Sequence, residues 1–142
     1  MASNECIPYY DDGDNITGWC SNAVTGKTFV TVGPGDRTGP DFDPTATANP
    51  SDGGCIHIEP AAAGQVAPVF GVAAYDGAAS AFVDVIRGSK MVVPVTASAA
   101  IAINQEVEVG PNGQAAPHAA GFKCGYAVSS AGAGEDAQIS LY

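Results

Sequence analysis

The chain is nearly without leucine: Leu141 is the single one in 142 residues. Helical bundles and coiled coils close their seams with leucine at a period of 3.5–3.6 residues, so a helical architecture finds no support here. Basic residues are equally scarce. Five lysines and arginines stand against 15 acids, for a formal charge of −10. A groove for nucleic acid needs clustered cations to neutralise phosphate, which argues against that partner. Long apolar runs are missing too. The longest spans a handful of residues, such as Ala99 to Ile103, so no membrane-spanning helix fits and no membrane partner is expected. The start, Met-Ala-Ser-Asn-Glu-Cys-Ile-Pro, shows neither a basic nor an apolar leader segment. Reduced thiols are therefore the default for Cys6, Cys20, Cys55 and Cys124, which are scattered without a Cys-x-x-Cys pair; their disulfide state stays open at this level.

What is present points to β structure. Valine (14) and isoleucine (8) dominate the large aliphatics, and these branched side chains suit pleated strands. Together with five phenylalanines and the one leucine they make up only about a fifth of the chain. Alanine (25), glycine (18) and proline (10) supply much of the rest. The core should be thin, and stability should lean on self-association.

Along the chain, residues 1–26 lack a regular period, with Pro8, Gly13, Gly18 and the acidic cluster Asp11, Asp12 and Asp14. We read residues 1–23 as an irregular N-terminal arm and residues 24–142 as a single β domain. Alternation predicts strands at Lys27–Val32, Cys55–Glu59, Val69–Ala74, Phe82–Ile86, Met91–Val95, Gln105–Val109, Lys123–Val128 and Gln138–Leu141. Turn residues separate them: Asp76-Gly77, Arg87-Gly88, Gly110-Pro111-Asn112-Gly113 and Gly132 to Gly134. Ala97 to Ala102 is compatible with one helical turn. Residues 33–54 hold five Gly, four Pro and four Asp, with Phe42 the single large apolar side chain. Such a segment cannot fill a core, and we expect an exposed insertion. No internal repeat is visible. The fold class is all-β: a small β-barrel or β-tulip-like domain with an irregular arm and a long Gly/Pro-rich insertion.

Candidate chemistry is sparse. Thr25-Gly26-Lys27-Thr28 resembles the end of a phosphate-binding loop, but Ser21 stands where the first glycine belongs and a strand, not a helix, follows. Asp11-Asp12-Gly13-Asp14-Asn15 lacks the glutamate of a calcium loop; Trp19 occupies its place, so a solvated turn is expected. Cys55, His57, His118 and Cys124 do not have zinc-module spacings. Ser129-Ser130 is not in a nucleophile turn, and the carboxylates form no evidently desolvated pair. Asn15-Ile16-Thr17 is a glycosylation sequon without a secretory context. We expect no enzymatic activity, no cofactor and no metal.

The order of elements carries a resemblance. Pro68-Val69-Phe70-Gly71-Val72-Ala73 is followed by an acidic glycine turn, then Val83-Asp84-Val85-Ile86-Arg87-Gly88 and Met91-Val92-Val93-Pro94-Val95. An alanine-rich turn leads to Asn104-Gln105-Glu106-Val107-Glu108-Val109. The chain closes with Gly121-Phe122-Lys123-Cys124-Gly125-Tyr126-Ala127-Val128 and Ala137-Gln138-Ile139-Ser140-Leu141. This series, with Val24-Thr25-Gly26 to Val32-Gly33 as a first strand, resembles the small β-rich capsid decoration (head-stabilising, or cement) proteins of tailed bacteriophages. The resemblance covers residues 24–33 and 69–142; residues 34–68 depart from the pattern as an insertion. It implies a homotrimer on the outer face of an icosahedral head, at threefold or quasi-threefold positions. The major capsid protein would be its partner, and assembly would take place in the host bacterial cytoplasm. In that setting the arm is the candidate anchor. Ile7, Tyr9, Tyr10, Ile16 and Trp19 are more large apolar groups than a solvated tail needs, and Tyr and Trp are frequent interface anchors.

Overall fold

The computed structural model describes residue 6, residues 15–33 and residues 56–142. The described part is all-β, with no α-helix among those residues. Its strands are β1 (Ile16–Cys20), β2 (Phe29–Val32), β3 (Ile56–Pro60), β4 (Gly71–Ala73), β5 (Phe82–Ile86), β6 (Val92–Thr96), β7 (Glu106–Val109), β8 (Ala115–Pro117), β9 (Gly125–Ala127) and β10 (Asp136–Leu141). The first five close a barrel in the order β1-β3-β2-β4-β5. The last five form a sheet in the order β6-β10-β9-β7-β8.

These two halves share one pairing scheme; we call β1–β5 barrel 1 and β6–β10 barrel 2, the latter a sheet whose ends are joined by a single bridge. In each, the first strand pairs antiparallel with the fifth, the second with the third and fourth, and the fourth with the fifth. In barrel 1 the third strand returns parallel to the first, with Cys20 opposite Ile58. In barrel 2 the matching contact is the parallel bridge between Ala97 and Ala115. Each half also contains two arches that clasp one another. Val24 and Gly77 exchange backbone hydrogen bonds of 2.8 and 3.0 Å, and Ile101 and Ala131 exchange bonds of 2.9 and 3.0 Å. Three residues beyond each of these sits a residue with positive φ: Lys27, Ser80, Asn104 and Gly134. Their N–H groups donate to the carbonyls of Ala73, Cys20, Ala127 and Ala97 on the opposing arch. The absence of a repeat expected from the sequence is thus corrected at the level of backbone.

Side-chain sizes explain why the repeat is hidden. A Cβ on Gly18 would meet Ile58 at 2.9 Å; the matching pair in barrel 2 is Val95 and Ala115, large and small exchanged. A Cβ on Gly77 would lie 2.2 Å from Val83, and the matching pair is Ala131 and Ala137. Interior volume is conserved while residue identity is not, as close-packed cores require. Val24, Val30 and Val85 fill barrel 1 where Ile101, Val107 and Ile139 fill barrel 2.

Three expectations need adjustment. The irregular stretch expected over residues 1–26 contains β1. Thr17 and Gly18 break its apolar alternation, and Gly18 is required by Ile58. The helical turn expected at Ala97–Ala102 is an arch with bridges at both Ala97 and Ile101, where small side chains let two backbones cross. β8, too short and alanine-rich to signal itself, was not anticipated. It follows a turn in which Asn112 and Gly113 both have positive φ, 57° and 74°, the conformation that Asn-Gly favours between paired strands. Most of the insertion at residues 33–54 lies outside the described residues.

The outer face of barrel 1 packs on barrel 2. Phe29, Val72 and Ile86 stand opposite one another across β2, β4 and β5 and are fully buried in the cluster that contains the core of barrel 2. Thr96 N–H donates to the Lys27 carbonyl at 2.9 Å, and the Lys27 ammonium meets the Asp136 carboxylate at 2.8 Å. Gly64 N–H donates to the Val109 carbonyl at 2.7 Å.

Candidate interaction surfaces

Reactive chemistry is searched for first. Cys6, Cys20 and Cys124 are free thiols, all buried. Burial pushes the Cys6 and Cys124 thiols up to about 12, and that of Cys20 upward as well, so at neutral pH they are inert. Cys6 spends its S–H on the Pro94 carbonyl at 3.2 Å. His57 lies in β3 of barrel 1, its ring 4.7 Å from that of Trp19, whereas His118 and Cys124 belong to barrel 2. Cys55 is outside the described residues. Among the described residues no group of three or more His, Cys, Asp or Glu side chains converges as a metal site would require. Lys27, the lysine of the loop-like motif, is at an arch tip and paired with Asp136.

The best-formed carboxylate is structural. Glu108 Oε2 accepts three backbone hydrogen bonds, from Ala119, Ala120 and Gly121, at 2.8, 3.0 and 2.7 Å. Those donors hold its carboxyl below the usual carboxylate range. They pin the loop between β8 and β9 to the sheet.

A cleft of about 420 Å³ opens where the barrels meet. Ile16, Phe29, Phe70, Phe122 and Leu141 line it. Arg87 lies over the Phe70 ring, 4.3 Å from its centroid, and donates from Nε to the Phe70 carbonyl at 2.8 Å. Ser89, Cys124 and Tyr142 add two hydroxyls and a thiol to this apolar wall and its one cation, and the Cys124 thiol is the one that burial pushes up to about 12.

Among the described residues the exposed large apolar side chains are Val32, Val66, Phe82, Ile103, Tyr126 and Tyr142, the last at the edge of the cleft. Tyr126 and Tyr142 form a tilted pair with centroids 6.2 Å apart. Tyr142 donates its hydroxyl to Glu106 at 2.8 Å, and Glu106 also meets Lys123 at 2.8 Å. The Lys123 bond, then that of Tyr142, holds the Glu106 carboxyl below its ordinary range, while the same bond pushes the Tyr142 phenol up.

Of the candidate anchors, Ile7, Tyr9 and Tyr10 lie outside the described residues. Ile16 and Trp19 are both in β1: Ile16 is half-buried at the cleft, and Trp19 is 7% exposed and packed on His57. Trp19 is thus largely covered by its own chain, on the strand face opposite Gly18 and Cys20. Sequence reasoning did not single out Tyr126, Tyr142, Val32 or Phe82. The available signal was an apolar or aromatic residue at the solvent-facing beat of a strand, such as Tyr126 between buried Gly125 and Ala127.

With this geometry in hand, comparison with known proteins gives one informative likeness. No family model and no curated protein matches the chain. Among solved structures the fold is similar to the head fiber gp8.5 N base of bacteriophage phi29. The TM-score is 0.67 at 19% identity, over 91% of this chain and 93% of that one. The alignment therefore spans both barrels, and at this identity it establishes a common fold.

Proposed function

We propose that this chain is a structural protein of a phage virion, bound to the outside of an icosahedral head. The observation that carries this reading is the fold shared with a phage head fiber base over nine-tenths of both chains. The ordered series of motifs from Val24 to Leu141 supports it independently. In this reading the protein is a homotrimer at threefold or quasi-threefold positions, where it contacts the major capsid protein and bridges neighbouring subunits. It raises the barrier to their separation under internal DNA pressure, and many weak contacts add up through multivalency. It has no enzymatic activity, takes no cofactor and binds neither nucleic acid nor membrane. Ile7, Tyr9 and Tyr10, which precede β1, remain the proposed capsid anchor.

A second reading is favoured by the same likeness: the two barrels form the base of a head fibre rather than a cement layer. Cryo-electron microscopy of particles carrying the protein distinguishes them. A low knob filling threefold and quasi-threefold sites supports decoration. A projecting fibre above the barrels supports the second reading. Density on the tail alone, or none on the particle, overturns both. Tyr9→Ala and Tyr10→Ala together should abolish head binding while leaving the thermal transition in place. Wild-type occupancy by the double variant removes the arm from the interface. Deleting the arm outright is a poorer test, because Cys6 is packed in the core.

A further inference from the structure

The contact between the two barrels is heterologous. The row Phe29, Val72 and Ile86 on barrel 1 is buried against barrel 2. The same row on barrel 2 is Glu106, Tyr126 and Ser140, by identical strand pairing, and there Tyr126 faces solvent. Were the barrels related by a twofold, both rows would be covered. A head-to-tail contact instead leaves one donor face and one acceptor face vacant at the ends, and such contacts continue into rings or filaments.

Both vacant faces can be located residue by residue. On barrel 2, the acceptor of the internal contact includes Val109, which takes the bond from Gly64, and Asp136, which takes Lys27. Their counterparts on barrel 1 are Val32 and Phe82, and both are exposed, by 53% and 45%. On barrel 1, the donor includes the arch tip at Lys27 and the row containing Val72. Their counterparts on barrel 2 are Asn104, beside exposed Ile103, and exposed Tyr126, which pairs with Tyr142. Among the described residues, five of the six exposed large apolar side chains therefore fall on the two faces that repetition of the internal contact would bury.

We infer that the barrel 2 face bearing Ile103, Tyr126 and Tyr142 docks onto the barrel 1 face bearing Val32 and Phe82 of a second copy, repeating between chains the contact made within each chain. The number of copies rests on the trimer proposed above: three chains then close a ring of six barrels. The occupant is a second copy because the mating faces reproduce an interface the molecule already makes, and because Val32 on one face and Tyr126 on the other are exposed where their counterparts, Val109 and Val72, are buried.

Thiol cross-linking tests the geometry. In a Cys55→Ser background, with the three remaining thiols buried, Ile103→Cys and Phe82→Cys chains carrying tags of different size are produced separately and together, then treated with a short bismaleimide. The positions copy the internal approach of the Lys27 tip to Asp136. Cross-linked dimers should form only in the co-produced sample, and a chain carrying both substitutions should give a ladder ending at three. Cross-linking within either single-variant sample, or none in the co-produced sample, overturns the proposal. A second readout is independent of thiols. Tyr126→Arg should weaken self-association by more than about tenfold in light scattering while the far-ultraviolet dichroism and melting transition stay unchanged. If Tyr126→Arg remains fully trimeric, the docking face is wrong while the trimer stands. If the unsubstituted protein is a monomer both in solution and on heads, the trimer fails and the docking with it.

Discussion

Glu108 holds the loop between β8 and β9 in barrel 2, because one carboxylate oxygen serves three consecutive N–H groups. Glu108→Ala leaves three donors without an acceptor in a part-buried setting. It should destabilise the fold by about 1–3 kcal/mol, read from a denaturant midpoint; a loss under a few tenths would show that water replaces the carboxylate without cost. The pH dependence follows from the same bonds. The folded-state pKa of Glu108, and that of Glu106, is lowered relative to the unfolded chain. Their contribution is therefore fully present above the ordinary carboxylate range and is lost as pH falls through the depressed folded values. The melting temperature should hold from neutral pH down to about 5 and decline below about 4, and Glu108→Gln should flatten that decline. Gly71 and Gly125 occupy matching places and have matching constraints. A Cβ would sit 2.5 Å from the Ile86 carbonyl oxygen in one case and 2.2 Å from that of Ser140 in the other. Alanine at either should cost more than about 2 kcal/mol, measured by chemical denaturation, since the obstacle is backbone that cannot rotate away.

Among the elements, Phe82–Ile86 was legible to the residue, and seven other strands to within a few positions at their ends, because each has apolar groups on alternate beats between turn residues. β1 and β8 were not legible. In β1 the inward position at residue 18 is glycine, so the beat that marks a strand is silent where Ile58 fills the space. In β8 the inward residue is Ala115, small because Val95 occupies the corresponding volume. The Asn112-Gly113 turn was legible, and it gives a direct prediction about the long segment between β2 and β3. Gly33 and His57 in barrel 1 make the same backbone bond that Gly110 and Gln114 make across that turn. Replacing residues 34–56 with Pro-Asn-Gly, which also gives up Ile56 at the start of β3, should therefore give a folded protein that loses no more than about 3 kcal/mol, since shortening a loop costs little closure entropy and one half-buried side chain is lost. Circular dichroism and a cooperative melt would check it; an unfolded product would mean that the segment belongs to the core.

For the molecule as a whole, β class was readable from composition, while the doubling was not. Spacing between matching residues is shifted by the long β2–β3 segment, and the paired exchanges of large for small residues leave only short matches, Val30-Thr31-Val32-Gly33 with Val107-Glu108-Val109-Gly110 and Gly71-Val72-Ala73 with Gly125-Tyr126-Ala127. The proposed docking surface was legible only in part for the same reason. Tyr126 is conspicuous once its counterpart Val72 is seen buried, and unremarkable before that. The clasped arches have a further consequence. Their crossings are made by backbone bonds between Val24 and Gly77 and between Ile101 and Ala131, and by the N–H groups three residues beyond each. A plan written in main-chain bonds places few demands on side-chain identity, so the same chain can carry it out twice with two different sets of interior residues.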